Sequence, residues 1–284
     1  MKQPKIGIVG YFGHENAGDE IMKDLMLAEF PNSVAMNLGK LEKCDAYIIA
    51  GGDLITKYHG LHLPEIWNSV TDEPCYALSL GVKPGWEVLQ DQVINHLKKF
   101  RIVYVRDQKS FDVLSKYSTL DGVMPDLVFL ADAAKATENY PILFNYTDRP
   151  ELNPNGQFED VLNSGEVFPI ALSPDFDTNY SKKIVDAKKF ISMAKSSKGV
   201  IGTRLHSVVM AVIADVPVVA ITYEEKVRKF CERYDIPCFE YGQKNGKEIL
   251  ESMKKTNIDL ESERTKIRTV INMIKEDLLS REWN

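Results

Sequence analysis

The chain has few of the residues that mark special classes of protein. Its 284 residues include four cysteines, none in CxxC spacing, which favours buried thiols in a reducing compartment. No apolar run approaches the roughly 20 residues of a membrane span, and the early run from Ile6 to Gly13 lacks a signal-peptide cleavage pattern. Nucleic-acid-binding proteins usually have a basic balance, whereas the formal net charge here is −6. We therefore expect a cytoplasmic protein with no membrane span and no nucleic-acid partner.

What the sequence does contain is the alternation of an α/β protein. Short continuous apolar runs alternate with amphipathic stretches, which is the pattern of parallel strands joined by helices. With 284 residues, 44% of them apolar, the chain can build about two domains. Residues 130–139 are poor in large apolar side chains and precede Pro141, so we place the connection there. The sequence predicts a Rossmann-like domain over 1–132 and a second one over 140–284, which ends in an amphipathic helix.

Two predicted strands end at glycines. We expect the strand over 46–50 to end at Gly51-Gly52 and the strand over 74–80 to end at Gly81, with a helix following over 88–100 and a last strand near 122–129. Open parallel sheets bind ligands outside the carboxyl ends of their strands, where glycines let a substrate approach the backbone. Gly51, Gly52 and Lys83 are therefore candidate substrate-binding residues, although turn formation alone would explain the glycines.

The first predicted strand, over 5–10, leads into a glycine-punctuated loop and a helix. The glycine spacing is not GxGxxG, and the next strand does not end in an acidic residue that would hold a ribose, so no NAD site is expected. The loop can instead hold an anion or sugar hydroxyls through backbone N–H groups and the helix dipole. Asn16 and Asp19 are the candidate substrate-binding residues here; the alternative is that one of them only caps the helix.

Cationic side chains follow two more predicted strands. Arg106 follows the strand over 102–105, and Lys226 comes after the strand over 216–221. An arginine at the end of a buried strand suits a phosphate or a carboxylate. The alternatives are an ordinary ion pair between Arg106 and Asp107 or another nearby acid, and a solvated lysine opposite Glu224 and Glu225.

The most informative stretch runs from Gly199 to Ser207. A predicted strand ends at Gly202, and Arg204 and His206 then stand in the first turn of an apolar helix, where the helix dipole favours anions. A fixed cation beside an imidazole can bind an anion and transfer a proton. The remaining histidines show no metal-ligand spacing; His59 and His62 are three residues apart, but no third ligand is evident. We expect neither a metal nor a cofactor.

Taken in order, these segments resemble the polysaccharide pyruvyl transferase family. The matching stretches are GYFGHENAGDE, IIAGGDLI, LSLGVKPG, VYVRDQKSFDVL, MPDLVF and VIGTRLHSVVMAVIADVPVVAITYEEKV. The resemblance implies two Rossmann-like domains in a glycosyltransferase-B-like fold. It also implies transfer of pyruvate from phosphoenolpyruvate onto a sugar of a polysaccharide or glycan precursor as a ketal, with release of phosphate. Arg106, Arg204 and His206 fall on the family's donor and catalytic positions, and Lys226 on a further one. We expect Arg106, Arg204 and His206 to face one cleft.

The chain departs from the family pattern at three places. Asp53 stands where the family usually has the third glycine of GGG, and Lys83 replaces a more usual small residue. The second domain is also shortened at its start, since only about sixty residues separate Tyr140 from Val200. The shortening bears on how an acceptor is recognised and on whether the protein is active.

Two other functions stay open. A nucleotide-sugar-dependent glycosyltransferase of the same architecture would need contacts to a base and a ribose, for which Glu224 and Glu225 could serve. A non-catalytic carbohydrate-binding relative would bind sugar without releasing phosphate. The sequence identifies neither the acceptor sugar nor the base that takes the hydroxyl protons, for which Glu15, Asp19 and Asp53 are candidates by position, and it leaves a homo-oligomer open.

Overall fold

The computed structural model describes residues 3–37, 41–57, 73–134, 138–147, 158–175, 177, 181 and 184–283. The chain forms two compact units. The first unit comprises residues 1–14, 22–130 and 261–284, and the second comprises residues 15–21 and 131–260. Each unit contains one parallel sheet, which confirms the predicted α/β class.

Eleven strands lie in the described part of the chain. They are β1 (Ile6–Gly10), β2 (Ser33–Asn37), β3 (Ala46–Ile55), β4 (Cys75–Val82), β5 (Ile102–Val105), β6 (Gly122–Val123), β7 (Ile142–Asn145), β8 (Val167–Ile170), β9 (Val200–Gly202), β10 (Val218–Thr222) and β11 (Cys238–Glu240). The central strands β1, β9 and β10 are buried at every position. Continuous apolar runs form such strands because helices cover both faces of a parallel sheet.

The described helices are α1 (Ala17–Glu29), α2 (Gln90–Leu97), α3 (Gln108–Leu114), α4 (Glu159–Asn163), α5 (Ala187–Lys195), α6 (Leu205–Ile213), α7 (Glu225–Arg233), α8 (Gly246–Ser252) and α9 (Leu260–Leu279). Two 3₁₀ turns, at Trp86–Leu89 and Leu127–Leu130, add to them. Within the described ranges, no helix combines the length and the apolar character needed to cross a membrane.

The two sheets are wound in the same way. The first has the strand order β2-β1-β3-β4-β5-β6 and the second β11-β10-β9-β7-β8, with every neighbouring pair parallel. The order reverses between β1 and β3 in one sheet and between β7 and β9 in the other. Open α/β sheets bind ligands in the crevice outside the carboxyl ends of the strands at such a reversal. Each unit therefore has its own ligand-binding position by topology.

The terminal helix α9 corrects the sequence prediction. We expected it in the second domain, but residues 261–284 belong to the first unit. Its Asp277 accepts hydrogen bonds from the Tyr76 hydroxyl at 2.5 Å and from Arg101 Nε at 2.7 Å. Lys275 pairs with Glu29 at 2.7 Å. The apolar stripe of α9 is buried as expected, but helical periodicity alone does not say which sheet such a stripe covers.

Two strand ends also differ from the prediction. β3 continues through Gly51 and Gly52 to Ile55, and β4 continues past Gly81 to Val82. The glycines of β3 have positive φ of 68° and 85°, so they bend a strand that does not stop. The helix expected over 88–100 becomes a 3₁₀ turn followed by the shorter α2, and the strand expected near 122–129 is only the two residues of β6.

Candidate functional site

The start of helix α6 carries the two residues that the sequence singled out most clearly. β9 ends at Gly202, and Arg204 follows as the N-cap residue of α6 in an extended backbone conformation. His206 stands in the first helical turn. Every residue of α6 other than His206 is buried, so the helix packs into the unit with its N-terminus fixed at the end of β9. The structure thus places Arg204 and His206 together at the reversal point of the second sheet.

The guanidinium of Arg204 is held from one side. Its Nε atom donates to both carboxylate oxygens of Asp177, at 2.8 and 2.9 Å. Its Nη2 atom is buried and has no hydrogen-bond partner among the described residues. A buried donor without a partner costs folding free energy, and a guanidinium binds phosphate or carboxylate through such paired donors. Arg204 is therefore oriented by the protein and still has donors for an anion.

Asp177 was missed by the sequence reasoning. Its side chain is fully buried and also accepts hydrogen bonds from Asn145 Nδ2 at 3.0 Å, the Leu172 backbone N–H at 3.0 Å and the Thr147 hydroxyl at 3.3 Å. Asn145 is the last residue of β7, which pairs with β9, and Leu172 follows the end of β8, which pairs with the other side of β7. No local motif marks Asp177, because the sheet topology alone brings it to Arg204.

A further layer of hydrogen bonds supports this carboxylate. The Thr203 hydroxyl donates to the Asn145 carbonyl at 3.0 Å and accepts from the Thr147 backbone N–H at 2.9 Å. The Tyr241 hydroxyl donates to the Thr147 carbonyl at 3.0 Å, and burial raises the pKa of Tyr241, so the hydroxyl stays a donor. These hydrogen bonds connect the carboxyl ends of β7, β9 and β11 around Arg204.

The imidazole of His206 lies against the start of helix α1. A Cβ atom built at Gly18 would overlap the Nδ1 atom of His206, so only glycine fits there. Residues 15–21 belong to the second unit, and the Ala17 backbone N–H donates to the Leu172 carbonyl at 2.9 Å. Asn16 Oδ1 accepts from the Gly18 backbone N–H at 3.2 Å, which is the capping role that the sequence left open. Asp19 is the next residue after Gly18 and is buried.

Arg106 has a different setting in the first unit. Its side chain is only 9% exposed, its Nη2 atom pairs with Asp53 Oδ1, and its Nη1 atom lies 3.9 Å from Asp126 Oδ2. Burial by itself lowers the pKa of Arg106, but the carboxylates of Asp53 and Asp126 outweigh it and raise the pKa above its usual value. The alternative partner Asp107 is instead the N-cap of α3. Arg106 is thus a buried, charge-compensated arginine.

The two point departures from the family pattern pair with each other. Asp53 Oδ2 lies 3.6 Å from Lys83 Nζ, while its other oxygen pairs with Arg106. Gly81 makes room for this group, because a Cβ atom there would lie 2.7 Å from Arg106 Nη2. The added carboxylate and the added lysine therefore balance one another beside Arg106.

Gly51, Gly52 and Ser79 shape the same edge of the first sheet. A Cβ atom at Gly51 would lie 2.8 Å from Met22 Sδ, so Gly51 is required for packing as well as for its positive φ. Ser79 lies on β4, at the level of Gly51 on the neighbouring strand β3. It has φ 54° and is fully buried, and its hydroxyl has no hydrogen-bond partner within the described ranges. Such strain concentrates at functional positions. Nothing in the sequence marks Ser79, since serine is common in strands.

Lys226 stands in the first turn of α7, where its Nζ atom lies 3.2 Å from Glu224 Oε2. The predicted site residues are therefore divided between the units. Arg204, His206, Asn16, Asp19 and Lys226 belong to the second unit, and Arg106, Gly51, Gly52 and Lys83 belong to the first. That Arg106, Arg204 and His206 face one cleft stays a prediction.

The described residues contain no group of three His, Cys, Asp or Glu side chains arranged as metal ligands. His59 and His62, the closely spaced pair noted in the sequence, lie outside the described residues.

Comparison with known proteins identifies a family that matches most of the chain. The family model for polysaccharide pyruvyl transferases matches residues 9–225, about three quarters of the chain. The match includes Arg106, Arg204 and His206 and ends one residue before Lys226. No curated protein matches the chain.

Solved structures show the same fold at low sequence identity. A protein of uncharacterised function from Klebsiella pneumoniae subsp. pneumoniae NTUH-K2044 has a TM-score of 0.57 and 17% identity, over 83% of this chain and 92% of that one. The glycotransferase of kitacinnamycin has a TM-score of 0.51 and 8% identity, over 98% of this chain and all of that one. Both likenesses concern the fold alone: this two-sheet α/β fold is shared with solved structures, one of which is a glycotransferase.

Proposed function

This chain belongs to the polysaccharide pyruvyl transferase family, an enzyme family, and we propose that it transfers pyruvate from phosphoenolpyruvate onto a sugar as a ketal and releases phosphate. The sugar would belong to a polysaccharide or a glycan precursor, and the reaction would take place in the cytoplasm. The observation that carries the proposal is the start of α6, where Arg204 keeps a buried donor that has no partner among the described residues, beside His206.

The donor has two anionic groups, a carboxylate and a phosphate. In the second unit, the Arg204 guanidinium and the first backbone N–H groups of α6 supply hydrogen-bond donors for one of them. Lys226, on the neighbouring helix α7, supplies a positive charge for the other. Arg106 is proposed to stabilise the charge that develops on the phosphate. Because Asp53 already holds Arg106, a substrate oxygen would have to share this arginine with a carboxylate of the protein itself.

The chemistry needs one proton donor. His206, as an imidazolium, gives a proton to the methylene carbon of phosphoenolpyruvate, which becomes a methyl group and leaves C2 electrophilic. One sugar hydroxyl adds to C2, the bond from C2 to the phosphate oxygen breaks, and a second hydroxyl closes the ketal. The two hydroxyls lose two protons: one restores His206, and the other leaves with the phosphate.

A carboxylate near the hydroxyls can relay their protons to His206 and to the phosphate. Of the three candidates, Asp53 is held as a carboxylate between Arg106 and Lys83, which makes it a poor acceptor of protons. Asp19 follows Gly18, the residue against which His206 packs, and Glu15 stands three residues before it. The geometry therefore supports Glu15 or Asp19 over Asp53.

The proposal is tested by thermal unfolding with phosphoenolpyruvate and by phosphate release with glycan acceptors. A ligand that binds only the folded state at about 100 times its dissociation constant stabilises by about 2.7 kcal/mol, so the midpoint should rise by several degrees. UDP- and GDP-sugars should raise it much less. A midpoint that responds to a nucleotide sugar and ignores phosphoenolpyruvate would instead indicate the glycosyltransferase function.

A further inference from the structure

An open cavity of about 560 Å³ lies at the carboxyl ends of β10 and β11. This volume is within the range of small-molecule sites, and the position is the one at which parallel sheets bind ligands. None of the residues proposed to bind phosphoenolpyruvate lines this cavity. Its lining combines polar and aromatic side chains: Thr222, Arg228, Phe239, Glu240, Tyr241 and Gln243.

The charges of the lining cancel. Arg228 Nη2 pairs with Glu240 Oε1 at 3.0 Å, so the cavity presents one cation and one anion that compensate each other. Gln243 Oε1 accepts from the Glu240 backbone N–H at 2.9 Å, which leaves the Gln243 amide nitrogen to donate. Planar donors and acceptors beside two aromatic rings suit a neutral ligand rich in hydroxyl groups. A phosphate or a second carboxylate would find no net positive charge here.

The cavity is joined to Arg204 by hydrogen bonds within the second unit. Tyr241, which lines it, donates to the Thr147 carbonyl, and the Thr147 hydroxyl donates to Asp177, which holds Arg204 Nε. On the other side, Thr222 bonds to the backbone of Glu224, the residue that precedes α7 and its Lys226. These hydrogen bonds therefore connect the cavity to Arg204 on one side and to the segment before Lys226 on the other, and both residues belong to the proposed donor site.

We propose that this cavity binds the acceptor of the reaction, as a neutral saccharide, with Arg228 and Gln243 as its hydrogen-bonding groups. The inference rests on the proposed function, because it gives the sugar a place beside the donor-binding residues. It also gives the shortened second domain a means of recognising the acceptor: the lining comes from β10, α7 and the segment 238–243, all beyond the shortened part.

Cys238 is a natural reporter of this cavity. It lines the cavity and is partly exposed, whereas the other three cysteines of the chain are buried. A hydrogen bond from the Cys231 thiol lowers the pKa of Cys238, which favours its reactive thiolate. The rate at which iodoacetamide alkylates Cys238, followed by mass spectrometry, therefore measures whether the cavity is occupied.

The experiment compares methyl glycosides of common hexoses and N-acetylhexosamines with uridine monophosphate and inorganic phosphate, all at millimolar concentration. At least one methyl glycoside should slow the alkylation several-fold, and the phosphate should not. In Arg228→Ala, the affinity for that glycoside should fall about ten-fold. Arg233→Ala is the matched control, because Arg233 is on the same helix but stacks over Tyr234 at 5.0 Å.

The outcomes separate this inference from the proposed function. If no saccharide protects Cys238, or if Arg228→Ala keeps full protection, the acceptor site is wrong. Protection by uridine monophosphate without any by saccharides would overturn the neutral-sugar class in favour of a nucleotide. Saccharide protection in a protein that shows no response to phosphoenolpyruvate would keep the sugar site and reject the pyruvyl transfer.

Discussion

The two units have the same sheet winding but treat their arginines in opposite ways. In the first, Arg106 is enclosed by Asp53 and Asp126, and its charge is compensated within the protein. In the second, Arg204 has one carboxylate, Asp177, which binds Nε and leaves Nη2 without a partner in the described part of the chain. We call Arg106, whose charge is compensated, the closed arginine, and Arg204, which keeps an unused donor within the described residues, the open one. An arginine at a strand end indicates an anion site only when its partners leave donors unused.

The largest expected effect concerns His206, which only the open site needs. His206→Ala should lower the rate of phosphate release by about 10²–10⁴-fold, because general acid catalysis contributes that much. The upward shift of the unfolding midpoint by phosphoenolpyruvate should remain, since Arg204, the residue proposed to bind the donor, is unchanged. Full activity in this variant, measured with a competent acceptor, would remove the histidine from the mechanism.

The second prediction tests the two arginines directly by chemical denaturation. Arg106→Met should lower the free energy of unfolding by about 3–5 kcal/mol, because it leaves Asp53 and Asp126 without their buried counter-charge. Arg204→Met should cost less, about 1.5–3 kcal/mol, because Asp177 keeps the donors of Asn145, Thr147 and Leu172. Equal losses in the two variants would mean that the arginines have the same structural role.

The third prediction sharpens the role of Asp177 as a positioning residue. Asp177→Asn should weaken phosphoenolpyruvate binding about ten-fold, because the amide holds Arg204 Nε less firmly. Asp186→Asn is the matched control, since Asp186 caps α5 by accepting from the Lys189 backbone N–H at 2.7 Å. Both variants should lose some stability, but only the first should shrink the ligand-induced shift of the unfolding midpoint. An unchanged shift in Asp177→Asn would make Asp177 purely structural.

The smallest effect concerns the attachment of α9 to the first unit. Burial by itself raises the pKa of Asp277, but hydrogen bonds from Arg101 and Tyr76 outweigh it and lower the pKa to about 2. A carboxylate with a lowered pKa in the folded state stabilises the protein above its unfolded pKa, and this contribution is lost as the pH falls.

Asp277→Asn should therefore cost about 1 kcal/mol at neutral pH, allowing for solvent screening. The difference from the wild type should close as the pH falls from about 4 to about 2. Asp215→Asn, which removes an exposed ion pair with Lys255, is the control and should have a smaller effect. A difference that persists at the low end of this range would show that the charge of Asp277 does not hold the helix.

The sequence predicted those parts of the fold that depend on local pattern. Buried strands such as β10 and the apolar helix α6 were found because their runs are continuous and bounded by glycine or polar residues. The ends at Gly51 and Gly81 were wrong, because a glycine that bends a strand cannot be told from one that ends it without knowing the neighbouring strands. Helix α9 was assigned to the wrong unit because helical periodicity does not show which sheet an apolar stripe covers.

For the candidate site, the sequence found the side chains but not their partners. Arg204 and His206 stand in a recognisable turn, whereas Asp177 is 27 residues from Arg204 and reaches it only through the order of the strands. Asp53 is 53 residues from Arg106, and its pairing decides whether that arginine is open or closed. Such long-range pairings have no local signal, so the chemistry of a site is less predictable than its members.

The path of the chain has a practical consequence for cutting or recombining this protein. The backbone changes unit after residues 14, 21, 130 and 260. A fragment of residues 131–260 would contain Arg204 and His206 but would lack Gly18, against which the imidazole packs, and the Ala17 hydrogen bond to Leu172. The short segment 15–21 would have to be supplied as a separate peptide or spliced in by circular permutation. In a chimaera that exchanges contiguous halves with a relative, His206 and the segment 15–21 against which it packs would come from different proteins.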